Sequence, residues 1–232
     1  MFQPNHIIYE DNHLLVVNKL CGDLVQPDPS GSTALEDQVK SYIKVRDNKP
    51  GDVFLGVVHR IDRPVSGVVL FAKTSKALTR MNEQIRDRKV EKRYWAVVES
   101  APAESHAELT HHISRDTKQN RSRATLTPRP TSKEAKLRYE VIGASRSFTL
   151  IEVELITGRH HQIRAQLSAI GSPIKGDLKY GSRRSNPDGG ISLHSQKMSF
   201  THPVTKEQIT ITAPTPADDK IWSLFNDKQH RQ

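Results

Sequence analysis

Phe54-Leu55-Gly56-Val57-Val58-His59-Arg60-Ile61-Asp62-Arg63-Pro64-Val65-Ser66-Gly67-Val68-Val69-Leu70-Phe71-Ala72 holds two short apolar runs with a polar stretch between them. The runs Phe54 to Val58 and Gly67 to Ala72 are rich in Val and Leu, and they read as buried strands. His59 to Ser66 then reads as a loop that emerges at the edge of a sheet. Arg60, Asp62 and Arg63 fall within four positions of that loop. Cations beside a carboxylate favour its charged form, so Asp62 is expected to be ionised at neutral pH. That suits a nucleophile or a base. The plainer reading is an Asp that shapes a turn.

Upstream, Ile7 to Lys19 looks like a strand leading into a turn, and Gly22 to Gly31 is a loop rich in Pro, Asp and Gly. Leu35, Val39 and Ile43 recur at spacing four, which predicts a helix over Thr33 to Asn48 capped by Ser32 or Thr33. Downstream, an amphipathic helix is expected over Ser75 to Arg88, with Leu78, Met81 and Ile85 on one face. Arg93 to Glu99 is a strand candidate. Pro102 to Lys136 is polar, and short strands and exposed loops are expected there. Leu137 to Ile142 and Phe148 to Ile156 read as paired strands around Gly143-Ala144-Ser145. A helix over Arg159 to Ile170 follows, closed by Gly171. Loops fill Gly176 to Gly190, and the last strands lie within Ile191 to Ile211. Strands outnumber helices without alternating with them, which favours an α+β fold over a doubly wound one. No composition break suggests a separate module at either end, so residues 1–232 are expected to form a single domain with its core over about 7–216.

The charge balance narrows the partner. Lys and Arg outnumber Asp and Glu for a net charge of +9, and they are spread along the chain. A folded basic protein of this kind suits a polyanion, although a merely basic protein has the same balance. The single cysteine, Cys21, precludes an internal disulfide and points to a reducing compartment. The start, MFQPNHIIYEDNHLL, lacks a secretory pattern, and no apolar run approaches the roughly 20 residues of a membrane span. A cytoplasmic protein with no membrane partner is expected.

Two further segments carry chemistry. On the helix after Gly158, Ile163, Leu167 and Ile170 form the buried stripe, with His160 and Arg164 on its flank. An Arg at the margin of an apolar stripe pairs with an anion or snorkels to water, and Asp62 is a plausible partner. In Lys92-Arg93-Tyr94-Trp95, Tyr94 is suited either to stacking on a nucleobase or to core packing.

Together these segments resemble the RluA-type RNA pseudouridine synthases. His59 to Gly67 is similar to the family's HRLDxxTSG signature, and Phe71-Ala72-Lys73 to the FAK that follows it. Lys92-Arg93-Tyr94 matches KxY. Thr157-Gly158-Arg159-His160-His161-Gln162-Ile163-Arg164 matches TGRxHQIR, and Gly171 to Asp177 continues it. Leu193-His194 and His202-Pro203 fall where the family has LHA and HP elements. The likeness covers about Ile7 to Pro216. It departs at Asn18 to Pro27, where the family's NKPxGxxVHP becomes NKLCGDLVQP, and at Val65, where the family has Thr. Many relatives carry an S4 RNA-binding domain ahead of the catalytic part, and this chain looks like a form without it.

The resemblance implies a mixed, mainly antiparallel central sheet with flanking helices and loops. It implies an isomerase that converts uridine to pseudouridine in transfer or ribosomal RNA, with no cofactor and no metal. Asp62 is then the catalytic carboxylate, and Arg164 its ion-pair partner. Tyr94 stacks on the detached base, and Arg60 fills the gap that the base leaves. His59, Arg159, His160, Gln162 and Ile163 join the substrate-binding set. The partner is RNA rather than DNA, and the protein is expected to be a monomer.

Two rivals remain at this point. A non-catalytic binder of structured RNA explains the charge, but not the carboxylate and its Arg in their motifs. A metal-dependent hydrolase or deaminase would draw on His59, His111, His112, His160, His161 and His194. The sequence lacks CxxC, HExxH and HxE…PCxxC patterns. The adjacent pairs His111-His112 and His160-His161 are expected to point to different faces.

Overall fold

A computed structural model describes residues 2–28 and 31–225. Ile7–Glu10 (β1) and Leu14–Lys19 (β2) form a hairpin where a single strand is expected from sequence. Leu35–Arg46 is the first helix, α1. Gly56–Val57 (β3) and Ser66–Ala72 (β4) flank the His59 to Val65 loop. Ser75–Arg86 is α2 and Glu91–Val98 is β5. His106–Asp116 (β6), Arg121–Thr125 (β7), Lys133–Ala144 (β8) and Thr149–Leu155 (β9) follow. Then come Gln162–Ala169 (α3), Leu193–Thr201 (β10), Gln208–Thr212 (β11) and the short Lys220–Ser223 (α4).

The strands join one sheet in the order β1-β2-β4-β10-β5-β9-β8-β6-β7. β3 pairs with β4, and β11 with β10. Among the described strands, only the β4–β10 pair is parallel, and it is short, with His194 opposite Ser66 and Ser195 opposite Gly67. The fold is therefore α+β with a mixed, mainly antiparallel sheet. Alternation along the strands builds a core on each face. Leu15, Val17, Val69 and Phe71 face α1 and α3, with Leu35, Val39, Ile43, Ile163 and Leu167 opposite them. Leu14, Val16, Val68 and Leu70 face Ala77 and Met81 of α2. Trp95, Val97 and Leu150 are covered by Trp222 and Phe225.

The structure corrects four local expectations. α1 starts on Ala34 with no side-chain cap. The N–H groups of Leu35 and Glu36 go instead to Leu24 O (2.6 Å) and Val25 O (3.2 Å), so the preceding loop does what Ser32 or Thr33 was expected to do. The Pro102 to Lys136 region holds one short strand of the kind expected, β7, but also the long strand β6. α3 starts at Gln162 rather than Arg159, because His161 takes a left-handed conformation with φ +51°. That same bend makes the His160 and His161 rings stack, with centroids 3.8 Å apart, although neighbours in a regular helix would diverge. Within the Gly22 to Gly31 loop, Pro29 and Ser30 lie outside the described residues, as do Met1 and residues 226–232 of the expected domain. No helix among the described residues is long and apolar enough to cross a membrane.

Candidate active site

The polar loop between β3 and β4 is held through its carbonyls. Asp62 O accepts from Val65 N (3.0 Å), Arg63 O from Gly22 N (2.9 Å) and Pro64 O from Ile191 N (3.0 Å). Beneath it lies Lys19, 0 % exposed. Its ammonium donates to Leu20 O (2.8 Å), Asp23 O (2.8 Å) and Arg63 O (3.1 Å). Burial pushes the Lys19 amine down to about 8. The loop exits into Gly67 with φ +112°, and a Cβ there would sit 2.3 Å from Ser195 O. Glycine at this position is what permits β10 to lie alongside β4.

Asp62 rides on this support, its side chain 29 % exposed. Arg164, buried on α3, donates from Nη1 to Asp62 Oδ2 at 3.1 Å. Its other two contacts go to Asp177, 1 % exposed, from Nε to Oδ2 (2.7 Å) and from Nη2 to Oδ1 (2.9 Å). The guanidinium also lies over the Tyr180 ring, 4.9 Å from its centroid. Burial alone would push the Arg164 pKa down, and the Asp177 and Asp62 carboxylates reverse this and raise it. Arg164 is thus anchored by a planar two-bond fork to Asp177 and offers a single N–H to Asp62. Asp177 and Tyr180 are absent from the sequence-derived set. A buried Arg demands more acceptor than one half-open carboxylate, and that demand is the signal that points to Asp177.

His161 also reaches Asp62, with Nε2 3.5 Å from Oδ2. Its Nδ1 is 2.9 Å from Tyr180 Oη, and that oxygen accepts the N–H of Ser122 at 2.7 Å. Burial first, then the Arg164 charge, pushes the His161 imidazole down to about 2. His160 stacks on it and bonds to Ser122 Oγ (2.9 Å) and Asn120 Oδ1 (3.1 Å). The β6–β7 turn is thereby tied to the start of α3.

Tyr94 projects from β5 into the same core, between Val153 of β9 and Ser195 of β10. Burial pushes its phenol up to about 12, and the Asp62 charge adds to the rise. It enters any reaction as a neutral phenol. The remaining residues singled out from sequence are distributed as follows. Arg60 is exposed on the loop. His59 Nε2 accepts the N–H of Leu70 (3.2 Å), and burial lowers its imidazole to about 3. Gln162 is buried, accepting from Thr157 Oγ1 (2.8 Å) and Arg159 N (2.9 Å) and donating to Lys136 O (3.0 Å). Arg159 donates from Nε to Glu134 O (3.0 Å). Ile163 packs in the core. Asp62, Arg164 and Tyr94 are thus brought to one place. Gln162 and Ile163 hold α3 against the sheet, and His59 fastens the loop to β4. Among the described residues, no three His, Cys, Asp or Glu side chains converge as a metal would require.

The chain is similar to known proteins along most of its length. The family described as RNA pseudouridylate synthase matches residues 13–169. A Bacillus subtilis protein named as an uncharacterized RNA pseudouridine synthase, YlyB, is 35 % identical over 213 residues, covering 91 % of this chain and 69 % of that protein. Ribosomal large subunit pseudouridine synthase D of Xylella fastidiosa is 35 % identical over 93 % of this chain and 67 % of its own length. The solved structure of human RNA pseudouridylate synthase domain containing 4 shares the fold, with a TM-score of 0.76 at 23 % identity, covering 92 % of this chain and 89 % of that one.

Proposed function

The chain belongs to the RluA-type RNA pseudouridine synthase family, an isomerase acting on RNA, and from that premise we propose that Asp62 is its catalytic carboxylate for specific uridines of transfer or ribosomal RNA. The observation that carries the site assignment is the pairing of a half-open carboxylate with an arginine that is itself buried and anchored elsewhere.

The reaction breaks the bond from C1′ to N1 and forms one from C1′ to C5. The C5 proton is lost and N1 gains one, so the change is an isomerisation with no net redox step. Asp62 either attacks C1′ or removes a ribose proton to give a glycal. In both routes an anion must meet the sugar, and Arg164 stabilises that anion without covering it. Tyr94 stacks on the detached base. The glycosidic bond cannot be approached inside a helix, so the nucleotide is turned out at a cost of a few kcal/mol, and Arg60 occupies the vacated space. Basic side chains on phosphates offset that cost, and affinity then falls steeply with salt. The same reading takes residues 1–232 as a single catalytic domain acting as a cytoplasmic monomer, with no cofactor.

The test uses RNA labelled with tritium at uridine C5, isolated from cells that lack the gene. Asp62→Asn is expected to abolish tritium release while RNA affinity stays within about threefold of wild type, since Asp62 is not a phosphate contact. Wild-type turnover by this variant overturns the assignment. Mapping pseudouridines in cells with and without the gene identifies the RNA target.

A further inference from the structure

Two donors approach Asp62, and both approach the same oxygen. Arg164 Nη1 is 3.1 Å from Oδ2 and His161 Nε2 is 3.5 Å from it. Among the described residues, Oδ1 has no donor. We propose that His161 is a positioning residue of the isomerisation: held by Tyr180, it donates its Nε2–H to Asp62 Oδ2, and with Arg164 it leaves Oδ1 as the oxygen that meets the ribose. This rests on Asp62 being the catalytic carboxylate.

The direction of the proton follows from the bonds behind His161. The backbone N–H of Ser122 donates to Tyr180 Oη at 2.7 Å. That oxygen keeps its own proton to give, and His161 Nδ1 lies 2.9 Å away to receive it. With Nδ1 as acceptor, the ring proton of a neutral imidazole sits on Nε2, facing the carboxylate. The depressed pKa of His161, caused first by burial and then by Arg164, keeps the ring neutral. His161 therefore donates a hydrogen bond without acting as an acid or competing with Asp62 as a base.

The backbone supports the same role. His161 is one of few non-glycine residues here with positive φ, and it stands at the first position before α3. The inference runs from this outlier to a functional constraint. The left-handed turn aims the imidazole at Asp62, and the His160 ring covers one of its faces at 3.8 Å. A 3.5 Å contact is long for a hydrogen bond. Catalytic contacts of this length tighten in the complex with substrate. A ribose approaching Oδ1 pushes Oδ2 toward the two donors behind it.

Three variants assayed with the C5-tritiated RNA test the idea, alongside melting temperature and RNA affinity. His161→Leu removes the donor and is expected to lower kcat by roughly 10- to 100-fold, the scale of a misplaced reacting group, with KM unchanged. His161→Gln keeps an amide N–H of similar reach and is expected to recover a substantial part of that loss. Tyr180→Phe removes the bond that sets the tautomer and is expected to lower kcat less than His161→Leu, again with KM unchanged. Full kcat in His161→Leu overturns the proposal. So does equal loss in the Leu and Gln variants, which would mark His161 as a packing residue. If His161→Leu does not fold, an unaltered kcat in a folded Tyr180→Phe overturns it. Asp62→Asn is run in parallel. Activity in that variant sinks the underlying assignment, whereas its inactivity beside a fully active His161→Leu sinks only the role of His161.

Discussion

At the scale of single residues, the site is a carboxylate presented by buried charges, and each buried charge makes a distinct prediction. Asp177 anchors Arg164 from a fully enclosed position. Asp177→Ala leaves a buried guanidinium with one partner, and breaking such a pair costs about 3–5 kcal/mol. Urea denaturation should show that loss, and tritium release should fall with it because Arg164 is no longer fixed. Lys19 behaves differently. Burial holds its folded-state pKa at about 8, below the ordinary lysine value of 10.5, so the unfolded chain binds the extra proton between those values. Stability contributed by this group rises as pH passes from about 8 to 10.5, by up to about 3 kcal/mol. The stability gap between wild type and Lys19→Met should therefore widen between pH 8 and pH 10 in parallel urea titrations. The meeting of Asp62 and Arg164, with Tyr94 near enough to feel the Asp62 charge, was legible in the sequence because each sits in a motif of charged or aromatic residues beside an apolar run. His161, Tyr180 and the anchoring role of Asp177 were not. Their work depends on a left-handed backbone and on contacts across loops, and neither leaves a periodic trace.

At the scale of elements, apolar periodicity located α1, α2 and most strands within a few residues. It failed where burial is one-sided or polar. On β6, Ala107, Leu109, His111 and Ile113 occupy alternate positions, which is a strand pattern with a histidine where an apolar residue would be expected. His111 is buried there because Gln166 of α3 bonds to its Nδ1 at 3.1 Å. A polar contact between elements thus disguises the strand. The β4–β10 pair is the element contact on which the loop depends most. Gly67→Ala places a methyl against the Ser195 backbone at a positive φ. Such a change should cost more than about 2 kcal/mol. Thermal unfolding would show the loss, and the folded fraction should have a reduced kcat because the loop leaving Asp62 is displaced.

At the scale of the whole molecule, burial pushes three of the described histidines furthest below the ordinary imidazole value. His194, buried between Ser66 Oγ (2.8 Å) and Ala213 O (3.1 Å), is pushed by burial to about 4. His59 and His161 are lowered further, also by burial. All three have folded pKa values below that of the unfolded chain, so unfolding takes up protons once pH drops below about 6.5. Stability is expected to fall by about 1.4 kcal/mol per pH unit for each of them from there toward pH 4. Urea midpoints at pH 7, 6 and 5 measure the slope, and a flat profile would contradict it.

The parallel β4–β10 ladder joins residues 66 and 67 to residues 194 and 195, and Ile191 reaches back to Pro64. These contacts link stretches of chain made far apart in time. While the polypeptide is still emerging from the ribosome, β2 can align with β4 as soon as both are out, yet the floor under Asp62 is missing until β10 arrives. Long-range pairing of this kind is slow. The floor of the candidate site is therefore set late, and a nascent chain that already holds the β2–β4 pair still lacks it.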